Sequence, residues 1–279
     1  YGSDTENQKW LLDDLSVYRN TITSTEIAVP KKGGDSSVEG GELYPGQVFF
    51  SDFERENDGT TIYGKGSFID FGGNFGRVFQ NVGGAQRSNY LILPEDVLSH
   101  SAETKELSIG VWVNAANAGA SADYMWAPLF SAYASGPATD NGTPMFICQY
   151  RGILQVNCNG WCDFTDAQNV AGTNGVYHDA TDWLADKGWH YYTVTLTETN
   201  AKVYFDGVLK NEWNVSGSGD GNVIGGLFSN GSDLKYICLG GNQAWNWGDN
   251  DPGFAFDHIS IYNVALTQEQ IKVLVSRKK

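Results

Sequence analysis

The sequence predicts an all-β fold of many short strands joined by tight turns, and three observations carry that expectation. Glycine makes up 34 of 279 residues, about 12% against a usual value of about 7%. Thr, Val, Ile, Tyr and Phe recur in short runs bounded by Gly, Asn and Asp, the pattern of strands and turns. Long helical stretches of Leu, Ala, Glu and Lys are nearly absent.

Composition narrows the class further. With 41% hydrophobic and 18% charged residues, the chain can bury a core and is not a disordered polymer. The balance of 18 basic against 33 acidic residues gives a net charge of −15, which repels a polyanion, so nucleic acid is not an expected partner. No apolar stretch approaches the roughly 20 residues that cross a bilayer. No hydrophobic leader precedes Tyr1, so the sequence reads either as cytosolic or as the mature part of an exported protein whose leader has been removed.

Along the chain, residues 5–19 carry Trp10, Leu11, Leu15 and Tyr18 at helical spacing, and residues 30–47 are rich in Gly, Ser and charge. Residues 1–47 are therefore expected to form a short helix and linker, and residues 48–279 the main domain. Strands are expected at Val48–Phe53, Ile62–Phe71 and Tyr90–Leu93. Leu107–Val113 alternates Leu107, Ile109, Val111 and Val113 against Ser108, Gly110 and Trp112, as a half-buried strand requires. Phe146–Tyr150 and Ile153–Asn157 flank Arg151-Gly152 and read as a hairpin that sets Cys148 opposite Gln155. His190–Thr197 places Tyr192, Val194 and Leu196 on one face. The chain returns through Lys202–Phe205 and turns at Asp206-Gly207, a pair suited to the positive φ angles of a type I′ turn. A last strand, Phe256–Tyr262, leads to Thr267 and Gln270, a capping box for a terminal helix with Leu266 and Ile271 as its staple. Cys148 and Cys238 lie in apolar runs as buried thiols. Cys158 and Cys162 could staple a loop or stay free, and no metal-ligand spacing accompanies them.

Several of these pieces resemble one family in order. Leu107–Asn114 resembles the Trp-bearing strand of laminin-G-like jelly rolls. Trp189–Val194 with Lys202–Gly207 resembles their central hairpin. Phe256–Ile271 is similar to their closing strand and helix, and Gly84–Leu93 loosely resembles their opening strand. The resemblance, to the concanavalin A-like lectin/glucanase superfamily, spans residues 84–275 and implies an all-β, two-sheet antiparallel sandwich with short N- and C-terminal helices. It also implies carbohydrate binding, often with calcium, frequently by exported bacterial proteins at the cell surface or in the periplasm, some of them lipid-anchored through a removed N-terminal segment. The fold hosts enzymes as well.

A retaining glycosidase of this fold would carry a Glu-x-Asp-x-x-Glu strand, whose alternation sets two carboxylates on one face about 5 Å apart. No such strand occurs, and no catalytic residue is assigned. The segment Gly240–Gly253 instead collects Trp245, Asn246, Trp247, Asp249, Asn250 and Asp251. Indole faces suit the C–H side of a sugar, and the amides and carboxylates suit its hydroxyls. The alternative is a long loop folding its rings back onto the sandwich. Trp126, Tyr133 and Trp161 are further aromatic loop candidates. Counting by twos puts Asp257 on the face of Ile259 and Ile261, where a carboxylate must be paired, capping or metal-bound. The resemblance implies calcium there, with Asp251 as a second candidate ligand. The expected partner is thus an oligosaccharide or polysaccharide bound by a monomer without catalysis. A glycoside hydrolase or lyase on the same fold, and a protein-binding adhesin, are the alternatives.

Overall fold

The structure is a computed structural model and describes residues 46–55, 58–116, 127–134, 145–149, 154–157, 161–164, 187–214, 227–228, 234–244 and 248–277. The helix expected over residues 5–19 lies outside the described residues, as does most of the linker. All described residues belong to the unit Lys31–Lys279.

Among the described residues fifteen strands run in chain order: β1 Gln47–Ser51, β2 Thr61–Tyr63, β3 Ser67–Asp70, β4 Arg77–Gln80, β5 Tyr90–Ile92, β6 Glu106–Asn114, β7 Pro128–Tyr133, β8 Met145–Gln149, β9 Leu154–Asn157, β10 Trp161–Phe164, β11 Trp189–Thr197, β12 Asn200–Phe205, β13 Val208–Asn214, β14 Tyr236–Leu239 and β15 Ala255–Tyr262. They form two antiparallel sheets. One is eight-stranded, ordered β13-β12-β11-β6-β15-β4-β3 with β1 also paired to β15; the other is seven-stranded, ordered β10-β9-β8-β7-β14-β5-β2. This is the two-sheet antiparallel sandwich that the family resemblance implied.

The alternation decides what faces inward. Leu107, Ile109, Val111 and Val113 of β6 join Tyr192, Val194 and Leu196 of β11 in the core. The opposite sheet contributes Leu91, Phe130, Ala132, Phe146, Cys148, Ile237 and Leu239. At about 25 cal/mol per Å² of apolar surface removed from water, this common core is the main stabilising term. On the other side of β6, Trp112 packs with Tyr191, Tyr204 and Tyr262 under the C-terminal helix Gln268–Ser276, which contributes Ile271 and Val275. Thr267 caps that helix as expected: its side chain accepts the Gln270 amide at 3.3 Å, while the Gln270 side chain accepts the Thr267 amide at 2.8 Å. The Asp206-Gly207 turn has both φ angles positive, 51° and 75°.

Three local expectations are corrected. The run Ile62–Phe71 is not one strand. Gly64, at φ 84°, turns the chain, so that β2 joins the seven-stranded sheet and β3 the eight-stranded one. The β8–β9 hairpin sets Cys148 opposite Leu154, not Gln155, a register one residue away from that of a two-residue turn at Arg151-Gly152. In β15 the pairing to β6 slips between Asp257 and Ser260, around His258 at φ 49°. This β-bulge puts two residues opposite one. Asp257 therefore pairs with Trp112, on the outer face of the sheet, and not with the inward set of Ile259 and Ile261.

Candidate functional site

Glycine at 241 opens the distinctive loop, and the packing shows why nothing larger fits: a methyl group there would meet the Tyr90 Cβ at 2.8 Å. The loop leaves β14 at Gly240, held by the Asn81 side-chain amide, which donates to the Gly240 carbonyl at 2.5 Å and to the Asn89 carbonyl at 2.9 Å. Its first residues lie on the outer face of the seven-stranded sheet. There Ala244 is buried in a small cluster with Tyr133, Met145 and Ile147.

Its far end is tied to a second segment, the turn before β5. Gly84 and Asp251 exchange backbone hydrogen bonds of 3.2 and 3.0 Å. The Asp251 carboxylate, only 2% exposed, caps the turn: Oδ2 accepts the amides of Ser88 at 2.7 Å and Asn89 at 2.9 Å, and Oδ1 accepts that of Arg87 at 3.3 Å. Burial pushes the Asp251 carboxyl up to about 7, against the pull of those amides toward the ionised form. Two more bonds close the seam. The Arg87 guanidinium donates to the Ala244 carbonyl at 3.3 Å, and the Gln86 side-chain oxygen accepts the Gly248 amide at 2.6 Å. Turn and loop thus form one unit on the outer face, with Gly248 and Asn250 exposed and Asp249 half-buried at its surface.

The expected site residues divide as follows. Asp249, Asn250 and Asp251 do lie together in this unit, while Trp245, Asn246, Trp247 and Trp126 lie outside the described residues. Tyr133 is corrected: it belongs to strand β7, is fully buried and offers no face to a ligand, because Ala244 of the loop sits on it. Trp161 is not in a loop either, since it begins edge strand β10 opposite Asn157. Asp251 is a poor calcium ligand, for its oxygens already face three N–H donors, which repel a cation. Asp257 is fully buried; its Oδ1 accepts the His258 backbone amide at 2.8 Å and lies 2.9 Å from the His258 Nδ1. Among the described residues no three His, Cys, Asp or Glu side chains group closely enough to hold a metal ion. Cys148 and Cys238 are buried free thiols, and burial raises both, Cys238 to about 12.

Sequence reasoning missed the Tyr63–Tyr90 pair. The rings stack with centroids 4.6 Å apart and planes 12° from parallel, and Tyr63 is 49% exposed. The signal was present in the alternation of Thr61, Ile62 and Tyr63, but the expected long strand over Ile62–Phe71 concealed it.

Two antiparallel sheets, each with an inward apolar face, define a β-sandwich. The chain belongs to the concanavalin A-like lectin/glucanases superfamily, whose laminin-G-type family model matches residues 84–272. No curated protein matches the chain. Solved structures share the fold at low identity. The binding domain of botulinum neurotoxin DC, in complex with rat synaptotagmin II, is 12% identical with a TM-score of 0.52, over 84% of this chain and 52% of that one. A botulinum neurotoxin type C structure, described by cell entry that depends on two ganglioside molecules, is 14% identical with a TM-score of 0.51, over 79% and 46%. Domain 4 of the arabinanase AbnA from Geobacillus stearothermophilus, in complex with arabinotriose, is 16% identical with a TM-score of 0.46, over 77% and 87%. The chain spans about half the length of the neurotoxin structures it matches.

Proposed function

We propose that this chain binds a glycan without cleaving it, at the unit formed by the Gly240–Gly253 loop and the Gly84–Asn89 turn. The observation that carries the reading is the seam itself. A loop holding Trp245, Asn246, Trp247, Asp249 and Asn250 in sequence is fastened on both sides by the buried Ala244 and the buried Asp251. Ala244, Gly248 and Asp251, fixed by the bonds of that seam, lose little further conformational freedom on binding, which favours affinity for a weakly held ligand such as a sugar. The residue types match the task, since indoles stack on C–H faces while amides and carboxylates bond hydroxyls. Membership in a superfamily of lectins and glucanases supports carbohydrate as the ligand class. The neurotoxin likenesses contribute the fold alone.

Affinity electrophoresis of the whole chain through arabinan, xylan, laminarin and pectin gels tests the reading, together with assays for new reducing ends and unsaturated products. Retardation without product formation supports binding. Turnover replaces it with a hydrolase or lyase, and a chain that no gel retards loses the proposal. Two further elements belong to it. One is export to a bacterial surface or periplasm, as a monomer. The other is a calcium ion at Asp257, supported by a buried carboxylate beside a bulge, where backbone groups leave the regular ladder.

A further inference from the structure

We propose that Tyr63 is a second saccharide-stacking subsite, so that the ligand is a glycan chain held through at least two sugar rings and not a single terminal sugar. This rests on the glycan-binding reading above and deepens it.

Strand β2 is the edge of the seven-stranded sheet, and Tyr63 lies directly opposite Tyr90 of β5. Leu91, opposite Ile62, points into the core, so the Tyr63 and Tyr90 rings stand on the outer face, the one that also carries Ala244. Tyr90 is only 4% exposed and supports one face of the Tyr63 ring, leaving the other face to water. An aromatic held in this way is preorganised, because it does not lose rotamer freedom when a ligand arrives.

The same ring is fastened to the candidate site. Gly64 turns the chain immediately after Tyr63 and packs against the Ser88 carbonyl, where any side chain would collide. The Lys65 amide donates to the Asn89 side-chain oxygen at 2.7 Å. Ser88 and Asn89 are also residues whose amides Asp251 accepts, and Gly241 at the start of the loop abuts Tyr90. Tyr63, the turn and the start of the loop are therefore tied into one connected unit.

The size of the patch argues for sugar as the occupant. A protein partner covers about 800 Å² per side, whereas among the described side chains Tyr63 is the one large hydrophobic so exposed on a strand of this sheet. One flat ring, followed directly by Gly64 against the Ser88 carbonyl, matches the face of one sugar.

The test uses the whole chain and whichever of arabinan, xylan, laminarin or pectin retards it, with oligosaccharides of increasing length cut from that polymer. Tyr63→Ala is expected to weaken retention roughly two- to tenfold, the range of one aromatic contact, with Tyr63→Phe close to the parent chain. The loss should grow from disaccharide to pentasaccharide. Tyr63→Thr, which suits a strand, serves should the alanine variant melt early. If Tyr63→Ala and Tyr63→Thr bind as tightly as the parent while Trp247→Ala weakens binding, the Tyr63 subsite is overturned and the loop site stands. Should none of the four polymers retard the parent chain, the underlying reading fails and the subsite with it.

Discussion

The Asp251 carboxylate accepts the Ser88 amide at 2.7 Å across 163 residues of sequence. This contact, repeated at Asn89 and Arg87, is what turns two loops into one surface. Buried amide donors without an acceptor cost about 1–3 kcal/mol each. Asp251→Ala should therefore lower unfolding free energy by about 3 kcal/mol or more, read from the midpoint of a urea titration. A midpoint unchanged from the parent would mean that water replaces the carboxylate.

The pH dependence of stability should carry the signature of this group. Burial lifts the Asp251 carboxyl from its ordinary 3.8 to about 7, so between those values the folded state holds a proton that the unfolded state has released. Its contribution is fully present below about pH 4 and is lost as pH rises through about 7. Urea titrations at pH 5 and pH 8 should show a drop in the parent chain that is smaller in Asp251→Asn. Equal drops in both would assign the effect to other groups.

Gly110 lies beneath the Tyr191 ring, and a methyl group there would collide with the Tyr191 hydroxyl and meet its Cζ at 2.8 Å. Tyr191 is buried under the C-terminal helix side of the sheet. Gly110→Ala is expected to destabilise by about 1–3 kcal/mol through overpacking, lowering the melting temperature by several degrees. A melt matching the parent would show that Tyr191 can move aside.

Thr267→Ala removes one half of a reciprocal cap and should cost about 1 kcal/mol, with no change in the denaturant slope. Thr267→Ser should restore most of it, because the hydroxyl that accepts the Gln270 amide at 3.3 Å returns.

If calcium binds only the folded chain, it raises the melting temperature by mass action. Scans in 1 mM calcium and in excess chelator should then separate in the parent and converge in Asp257→Asn. Superimposed parent scans would remove calcium from the proposal.

Much of the fold was legible because the relevant physics is local. The alternation in Leu107–Val113 fixes which side chains face the core whatever strand lies alongside. The Asp206-Gly207 turn and the Thr267–Gln270 cap each satisfy their own backbone within a few residues. The candidate site was legible in composition but not in arrangement. The sequence marked Gly240–Gly253 as unusual, yet nothing in it said that Asp251 would bind amides or that Tyr133 would lie beneath Ala244.

The sequence by itself determined the all-β class, the inward faces of the long strands, the turns and the terminal cap, since period-two patterning and capping act over neighbouring residues. Only the tertiary structure decided that β2 and β3 part into different sheets, that a bulge at His258 carries Asp257 to the outer face, and that Tyr63 stacks on Tyr90. Those outcomes depend on strand register and on contacts between segments far apart in the chain, where a shift of one residue reverses every side chain.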